Sequence, residues 1–330
     1  MALFIAFFCV AAFNRSPVVK YVLTGEAQGT TYQVIYYALD SIVTKKQVDS
    51  LLIKIDSSLS LYKPYSLINR FNQSDSGMPV DHHFLTVLEK SLLTFKETNG
   101  IFDVTVQPLV QAWGFGVKKI NKLPDSSTIS KLKHCIGSNL LQVSGTKVVK
   151  KKSCVKVDMN GIGQGYSVDI IADLLDQKGI TNYMVELGGE IKVRGRKQPN
   201  NEKMRIGIET PGADEFERRV MQKVIVIEEG AITTSGNYRR YYETQGKKIS
   251  HLIDPRTGYP VENELISITV YAKDAMTADA YDNALMVMGL KEAMHFIEER
   301  KELAAHFIYK AENGAIRDTM SRQFYQFVQQ

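Results

Sequence analysis

The sequence predicts an α+β fold in which mixed sheets pack against helices. Segments with strand and helix periodicity alternate along the chain without the regular strand–helix–strand order of a doubly wound parallel sheet. The 330 residues are 44% hydrophobic and 23% charged, which is enough apolar sequence for a large buried core. Because no repeat or Pro/Gly-rich linker divides the chain, we expect residues 22–328 to form one catalytic or binding unit.

Periodicity predicts the elements in the first part of the chain. Residues 30–37 are rich in β-branched and aromatic side chains, which predicts a strand. Apolar residues recur every three or four positions over residues 45–59 and 84–98, which predicts two amphipathic helices. We expect residues 62–72, between these helices, to form a loop.

Further along, we expect short helices over residues 127–134 and 166–177. A hairpin is expected over residues 148–157, where the three lysines at 150–152 are typical of a solvated strand edge. Further strands are predicted at residues 183–187, 204–209, 224–228, 265–271, 304–309 and 315–318. Two more helices are predicted at residues 278–288 and 291–300.

The charge balance argues against a nucleic-acid partner. The 41 basic and 36 acidic residues leave a formal charge of +5, and the basic residues look scattered rather than gathered into a stripe. A nucleic-acid-binding protein usually carries a concentrated basic surface. We therefore expect no nucleic acid among the partners of this protein.

The N-terminus resembles an export signal. Residues 1–13 are apolar and uncharged, and polar sequence begins at Asn14. This stretch is too short to cross a bilayer core, which needs about 20 residues. We expect residues 1–20 to be an export signal or a membrane-anchor remnant, with membrane association only through this end. The alternative is a buried apolar strand.

The three cysteines predict neither a disulfide framework nor a zinc site, because no CxxC pair is present. Cys135 and Cys154 lie close in sequence around the predicted hairpin. Nothing in the sequence brings their Cα atoms within the roughly 4.4–6.8 Å that a disulfide needs. We favour free thiols, with pairing as the alternative.

A cluster of glycines offers a candidate phosphate site. Gly161, Gly163 and Gly165 stand between an apolar strand and a helix, where backbone N–H groups can approach a phosphate. Their spacing matches neither the dinucleotide fingerprint nor the P-loop, so a structural turn is an equal alternative. The pair Gly188 and Gly189 is expected to form a turn.

Residues 233–236, of sequence TTSG, combine small hydroxyl side chains with glycine, a composition typical of an anion-binding loop. Arg239 or Arg240 could neutralise a phosphate there, and the alternative is a plain hairpin. His251 follows in the stretch SHLIDP. Taken alone, a histidine beside a loop is more often a surface residue than a catalyst.

Asp279, Asp282 and Asn283 form a candidate metal site. Their spacing of i, i+3 and i+4 on the predicted helix places three oxygen-bearing side chains on one face. Such ligands suit Mg²⁺, which completes its shell with water and substrate phosphates. The alternative is a solvated acidic face, but the apolar residues that follow immediately favour a functional site.

Eight motifs occur in a recognisable order along residues 22–328. They are GTTY, SLINRFN, FDVTVQPLV, DMNGIGQGYSVD, ELGGE, TTSGNYR, SHLIDPRTGYP and TADAYDNALMVMG. Together they resemble the ApbE family, the FAD:protein FMN transferases. The resemblance implies a single catalytic unit related to the T-fold. It also implies Mg²⁺-dependent transfer of FMN from FAD to a Thr or Ser of an acceptor flavoprotein, with release of AMP.

The resemblance also implies roles for individual residues. The family's metal ligands fall on Gly161, Asp279, Asp282 and Asn283, and its flavin contacts on Gln28, Tyr62, Phe102, Asp103, Gln164 and Ile253. The position proposed to assist proton removal falls on His251, so His251 and Asp279 are the expected catalytic residues. Asp254 and Asp103 are the alternatives for the base.

The chain departs from the family pattern at three of these positions. Gln28 stands where many relatives carry Met, and Asn283 stands where many carry Thr. Gly161 offers only its carbonyl oxygen. We expect the metal to be retained with altered affinity.

The family's usual acceptor is a subunit of a membrane redox complex, which implies an exported enzyme at the periplasmic side of the cell envelope. Two other activities stay open. One is an FAD pyrophosphatase, in which water takes the place of the acceptor, and the other is an FAD-binding protein without turnover.

Overall fold

Strands and helices alternate irregularly along the chain. The computed structural model describes residues 18–210, 220–237, 241–244 and 247–329. The strands are β1 Val19–Ala27, β2 Thr30–Ala38, β3 Gly77–Pro79, β4 Leu141–Ser144, β5 Lys147–Lys150, β6 Tyr183–Leu187, β7 Glu190–Arg194, β8 Met204–Thr210, β9 Val220–Ile227, β10 Glu229–Gly236, β11 Tyr241–Thr244, β12 Lys247–Ser250, β13 Leu265–Ala272, β14 Ala304–Lys310 and β15 Ile316–Met320. The helices are α1 Lys45–Leu59, α2 Leu67–Gln73, α3 His82–Glu97, α4 Gln107–Ala112, α5 Ser126–Lys133, α6 Gly163–Gln177, α7 Ala275–Met288 and α8 Leu290–Glu298. The α+β class is confirmed.

The main sheet has eight strands in the order β1-β2-β6-β7-β10-β13-β14-β15. We expected mixed pairing, but every ladder between described strands is antiparallel. Strands β1 and β2, β6 and β7, and β14 and β15 are joined directly as hairpins. A hairpin reverses the chain, so neighbours formed in this way are necessarily antiparallel.

Several predicted elements coincide with those of the structure, and others were missed. The helix predicted at residues 45–59 is α1, and the strand predicted at residues 183–187 is β6. The expected loop at residues 62–72 is wrong in its second half, which forms α2. Ser66 caps this short helix, since its hydroxyl accepts a hydrogen bond from the backbone N–H of Asn69.

A tight turn joins β1 and β2, which are neighbouring strands of the main sheet. Its two turn residues, Gln28 and Gly29, have φ angles of 53° and 76°, which is the combination of a type I′ turn. The Gln28 side chain then donates a hydrogen bond of 2.8 Å to the hydroxyl of Ser167 on α6. The turn is thereby fixed against the helix that follows the glycine motif.

Helices α6 and α7 pack together beside the main sheet, and Asp169 of α6 joins them. Its carboxylate accepts hydrogen bonds of 3.0 and 2.8 Å from the backbone N–H groups of Ala275 and Met276, at the start of α7. The same carboxylate forms a 2.7 Å ion pair with Lys192 of β7. Negative charge at a helix N-terminus is stabilising, so Asp169 fixes where α7 begins relative to the sheet.

A small sheet, ordered β3-β5-β4, lies near a disulfide. Cys135 and Cys154 are bonded, with their Cα atoms 5.5 Å apart, so the expectation of free thiols is wrong. The fold brings together two cysteines that the sequence alone could not place. The expectation that Lys150 lies on a solvated strand edge is also wrong, because this residue is only 5% exposed.

Two parts of the sequence analysis lie outside the described residues. They are the apolar segment proposed as an export signal and the pair Arg239 and Arg240. Among the described residues, no helix combines the length and apolar character needed to cross a membrane.

Candidate functional site

Helix α7 carries two carboxylates at the centre of the candidate site. Asp279 and Asp282 are 4% and 1% exposed, and both line a pocket together with Asn283. The three oxygen-bearing side chains that the sequence placed on one helix face are therefore together in the structure.

Burial raises the pKa of the Asp279 carboxyl, although the backbone N–H of Gly165 donates a 2.9 Å hydrogen bond to it and acts in the opposite direction. Burial and the neighbouring Asp279 charge raise the pKa of Asp282 well above its ordinary value. Two adjacent buried carboxylates are costly unless protons or a cation neutralise them.

The amide nitrogen of Asn283 lies among the oxygen atoms of this corner. It is 2.9 Å from Oδ1 of Asp282, 3.4 Å from Oδ1 of Asp279 and 3.3 Å from the carbonyl oxygen of Gly161. Such a set of oxygen donors fits a hard divalent cation such as Mg²⁺. No cluster of three or more His, Cys, Asp or Glu side chains in the described residues could hold a metal. An ion here would therefore also need the carbonyl and amide oxygens.

The glycine motif divides into positions with different roles. A Cβ atom at Gly165 would lie 2.3 Å from the carbonyl oxygen of Ala275 and 2.8 Å from Cβ of Asp279. Gly165 is therefore required for the close approach of α6 and α7. Gly161 lines the pocket, and Gly163 has open space around its Cβ position.

The pocket encloses about 410 Å³, a volume typical of small-molecule sites. Every metal ligand, flavin contact and expected catalytic residue that the family resemblance implied lies in its wall: Gln28, Tyr62, Phe102, Asp103, Gly161, Gln164, His251, Ile253, Asp279, Asp282 and Asn283. The fold thus joins positions from both ends of the chain in one cavity.

One part of the wall is apolar, and the sequence analysis missed most of it. Besides Phe102 and Ile253, the apolar lining residues are Ile101, Val104, Val106, Val110, Phe115, Leu252 and Val287. Such residues look like ordinary core positions in the sequence, so no local signal distinguished them. Together they form a surface suited to a flat aromatic ring.

Two acidic lining residues were also missed, namely Asp158 and Glu190. Burial raises the pKa of Asp158 to about 6, although the backbone N–H of Asn160 donates a 2.9 Å hydrogen bond to it. Both residues lie inside motifs that the sequence analysis recognised, DMNGIGQG and ELGGE. The motifs therefore contained the signal, but not which of their side chains face the cavity.

The predicted anion-binding loop of sequence TTSG is instead the end of strand β10. Thr234, Ser235 and Gly236 line the pocket from this strand, which pairs with β7 and β13 in the main sheet. The Thr234 hydroxyl lies 2.9 Å from that of Thr269 on β13. Small polar side chains therefore reach the pocket from a rigid sheet.

Asp103 lines the pocket but is already engaged within the protein. Its carboxylate accepts hydrogen bonds from the backbone N–H and hydroxyl of both Thr105 and Ser138, at 2.6–3.2 Å. Burial raises its pKa, against the effect of these donors. This arrangement makes Asp103 a fixed part of the wall and a poor candidate for the base.

His251 is half-buried in the pocket wall, with its ring 6.3 Å from the ring of Phe115. The loop that carries it is anchored by the preceding Ser250, whose hydroxyl donates to Oδ1 of Asn237 at 2.9 Å. Asp254, the other alternative base, is absent from the pocket lining, and its carboxylate binds the Arg256 guanidinium at 3.0 Å. Of the three candidates for the base, His251 is the best placed.

The protein has an antiparallel α+β framework. Its pocket combines an apolar wall with an acidic, oxygen-rich corner, and such a pocket suits a nucleotide with an aromatic ring. The sequence profile of the ApbE family matches residues 28–307. The chain belongs to the ApbE family.

Relatives with assigned names are similar over most of their length. The FAD:protein FMN transferase of Vibrio cholerae serotype O1 is 37% identical over 299 residues, which cover 88% of each chain. The protein of the same name from Escherichia coli K12 is 36% identical over 93% of this chain and 89% of its own.

Solved structures agree with this assignment. The flavin transferase ApbE from Vibrio cholerae has a TM-score of 0.84 at 35% identity, covering 94% of this chain and 100% of its own. The apo form of Pseudomonas stutzeri flavinyl transferase ApbE also has a TM-score of 0.84, at 30% identity and with 94% and 97% coverage.

Proposed function

We propose that this protein is an FAD:protein FMN transferase, which moves FMN from FAD to a Thr or Ser hydroxyl of an acceptor flavoprotein. The observation that carries the proposal is the pocket itself, in which an apolar wall and an acidic corner meet in a chain of the ApbE family. The apolar wall suits the flavin ring, and the acidic corner suits the pyrophosphate through a bound cation.

In the proposed reaction, the acceptor oxygen bonds to the phosphorus nearest the riboflavin. The bond from this phosphorus to the bridging oxygen of the pyrophosphate breaks, and AMP leaves with that oxygen. The proton of the acceptor hydroxyl passes to His251, which lines the pocket and is the best placed of the candidate bases. Phe102 and Ile253 position the flavin against the apolar wall.

We propose Asp279 and Asp282 as the carboxylate ligands of Mg²⁺, with the carbonyl oxygen of Gly161. Rotation of the Asn283 amide would place its oxygen, rather than its nitrogen, toward the same point. A bound Mg²⁺ would supply positive charge to the pyrophosphate oxygens. Burial raises the pKa of both carboxyl groups, and the same ion would neutralise their charge.

The decisive experiment is mass spectrometry of a candidate acceptor after incubation with the protein, FAD and Mg²⁺. We expect the acceptor to gain the mass of FMN and one AMP to be released for each transfer. Asp279→Ala should abolish the transfer, whereas the control Glu292→Ala, an acid on the exposed start of α8, should not.

The same experiment separates the alternatives. Release of FMN and AMP without modification of any acceptor would indicate an FAD pyrophosphatase. Bound FAD that stays intact would indicate a flavin-binding protein. Calorimetry of Mg²⁺ with the FAD-free protein tests the metal site independently of activity, and Asp282→Asn should weaken the binding at least about tenfold.

We further propose that the protein acts on the outer side of the cytoplasmic membrane, on the flavin-carrying subunit of a membrane redox complex. Two observations support this location. Residues 1–13 are apolar and uncharged, and the Cys135–Cys154 disulfide is of a kind that persists in oxidising compartments.

A further inference from the structure

Charge is unevenly distributed along this chain, contrary to the scattered pattern that we expected. Residues 117–156 contain ten lysines and one acidic residue, Asp125. We name this segment the lysine-rich lobe. Its formal charge is +9, whereas the formal charge of the whole chain is +5, so the remaining residues together carry −4. The lysines are Lys118, Lys119, Lys122, Lys131, Lys133, Lys147, Lys150, Lys151, Lys152 and Lys156.

Nine of the ten lysines are exposed, Lys150 being the exception. In the described part of the chain, none of the ten lies within ion-pair distance of a carboxylate. Lys151 and Lys152 donate to the carbonyl oxygens of Asn139 and His134, which leaves their charge uncompensated. The lobe therefore presents a strong, unneutralised positive field to the solvent.

The lobe adjoins residues of the pocket wall. Lys118 and Lys119 follow the lining residue Phe115 closely, and Lys156 immediately precedes the segment that carries Asp158. The lobe's own Ser138 holds the lining residue Asp103.

Helix α5 attaches the lobe to the loop that follows His251. Ile129 packs with Ile253 in one apolar cluster, and a Cβ atom at Gly258 would lie 3.4 Å from side-chain carbons of Lys133. The lysine-rich lobe is therefore packed against the loop that follows His251 in the pocket wall.

The composition of this surface favours a polar protein partner. Among large apolar side chains in the described lobe, only Val117 is exposed, at 45%, and a single valine is a weak anchor for insertion into lipid. A charge this large is also more than the pyrophosphate of FAD requires. An acidic protein surface matches both its sign and its extent.

We propose that the acceptor protein has an acidic surface and that this surface docks on the lysine-rich lobe. Docking would hold the acceptor hydroxyl at the pocket. This proposal rests on the proposed transferase activity and names the chemistry of its protein substrate. Complementary charge of this kind chiefly accelerates encounter, so its effect should decrease as salt is added.

The test compares two charge-reversal variants of the full chain. In the first, Lys118, Lys119, Lys131 and Lys156, which are exposed, are changed to Glu. In the control, the exposed Lys20, Lys46, Lys291 and Lys301, which lie outside the lobe, are changed to Glu. The probe is the purified acceptor subunit of a membrane redox complex in its flavin-free form, and its flavinylation is followed over a range of salt concentrations.

We expect kcat/KM for the acceptor to fall about tenfold or more at low salt in the lobe variant, with little change in the control. The KM for FAD should not change in either variant. Poly-L-glutamate should inhibit the wild-type protein and the control, but inhibit the lobe variant much less.

Each other outcome overturns a different statement. Equal acceptor kinetics in all three proteins would refute docking on the lobe and leave the transferase intact. Loss of FAD binding in the lobe variant would assign the charge to FAD instead. Cosedimentation with phosphatidylglycerol vesicles, lost in the lobe variant while acceptor kinetics are kept, would assign the lobe to the membrane. Failure of the wild-type protein to flavinylate the probe would overturn the transferase and the docking proposal together.

Discussion

His251 is the side chain in the pocket wall whose removal most directly tests the proposed proton transfer. His251→Ala should lower the rate of FMN transfer about 10²-fold or more, because a positioned base typically contributes that much. Binding of FAD, measured by fluorescence titration, should change little. Asp254→Ala is the matched control, because that carboxylate binds Arg256 outside the pocket, and an unchanged rate in His251→Ala would remove the histidine from the mechanism.

Gly165 allows a second test at the scale of single residues. Gly165→Ala places a Cβ atom 2.3 Å from the carbonyl oxygen of Ala275, so helices α6 and α7 must separate. We expect a loss of stability of about 1–3 kcal/mol, the usual cost of overpacking, together with weaker Mg²⁺ binding. Denaturant unfolding and calorimetry measure the two effects.

Gly163→Ala is the control for this substitution, because nothing lies within 4 Å of its Cβ position. It should be neutral or slightly stabilising, since alanine restricts the unfolded chain more than glycine. Similar losses in the two variants would show that the close contact of α6 and α7 is not what requires Gly165.

At the scale of elements, the disulfide joins two segments that adjoin the pocket wall. Ser138, which holds Asp103, follows Cys135 closely, and Asp158 follows Cys154 closely. Changing both cysteines to serine should lower the free energy of unfolding by about 2–4 kcal/mol. The main reason is that the unfolded chain gains conformational entropy when the bond is absent. Affinity for FAD should also fall, because the first segment holds the lining residue Asp103 and the second leads into the lining residue Asp158.

Unfolding by urea, with and without a thiol reductant, provides the measurement. The reductant should destabilise the wild-type protein to the level of the double serine variant and should leave that variant unchanged. A wild-type protein that is insensitive to reduction would show that the bond contributes nothing to stability.

Strand β5 contains a buried lysine whose charge should make stability depend on pH. Burial lowers the pKa of Lys150 to about 8, below its ordinary value in the unfolded chain. The unfolded state therefore binds more protons between these two pKa values, and the free energy of unfolding should rise with pH across that interval. Below about pH 8 the lysine is charged in both states and its desolvation cost is fully present.

The measurement is urea unfolding of the wild-type protein and Lys150→Met from about pH 7 to about pH 10. The difference between them should move in favour of the wild-type protein as the pH rises. Lys151→Met is the control, because that neighbouring side chain is exposed. A constant difference would show that Lys150 titrates alike in the folded and unfolded states.

At the scale of the whole molecule, the proposed export predicts where the protein is found in the cell. The full-length protein should fractionate with the cell envelope and be accessible from its outer face. Deletion of residues 1–17 should leave an active enzyme in the cytoplasm, because the proposed export signal is then missing. Cell fractionation with protease protection measures both. Cytosolic full-length protein would contradict export, and loss of folding on deletion would support a buried N-terminal strand instead.

Local pattern was sufficient for some elements and insufficient for others. Helix α1 and strand β6 have regular apolar periodicity, and their predicted bounds agree with the structure. Strand β10 was missed, because its sequence of Thr, Ser and Gly resembles a loop and becomes a strand only through pairing with β7 and β13. Strand propensity depends on such neighbours more than helix propensity does.

The sequence by itself determined the α+β class, the family resemblance and the cluster of oxygen ligands on α7, because helical spacing is a local property. Through that resemblance it also supplied part of the pocket lining, including His251 and Gln164. The tertiary structure alone decided that Cys135 meets Cys154, that Lys150 is buried and that Phe115 faces the cavity. These facts depend on contacts between segments far apart in the chain, which local periodicity does not encode.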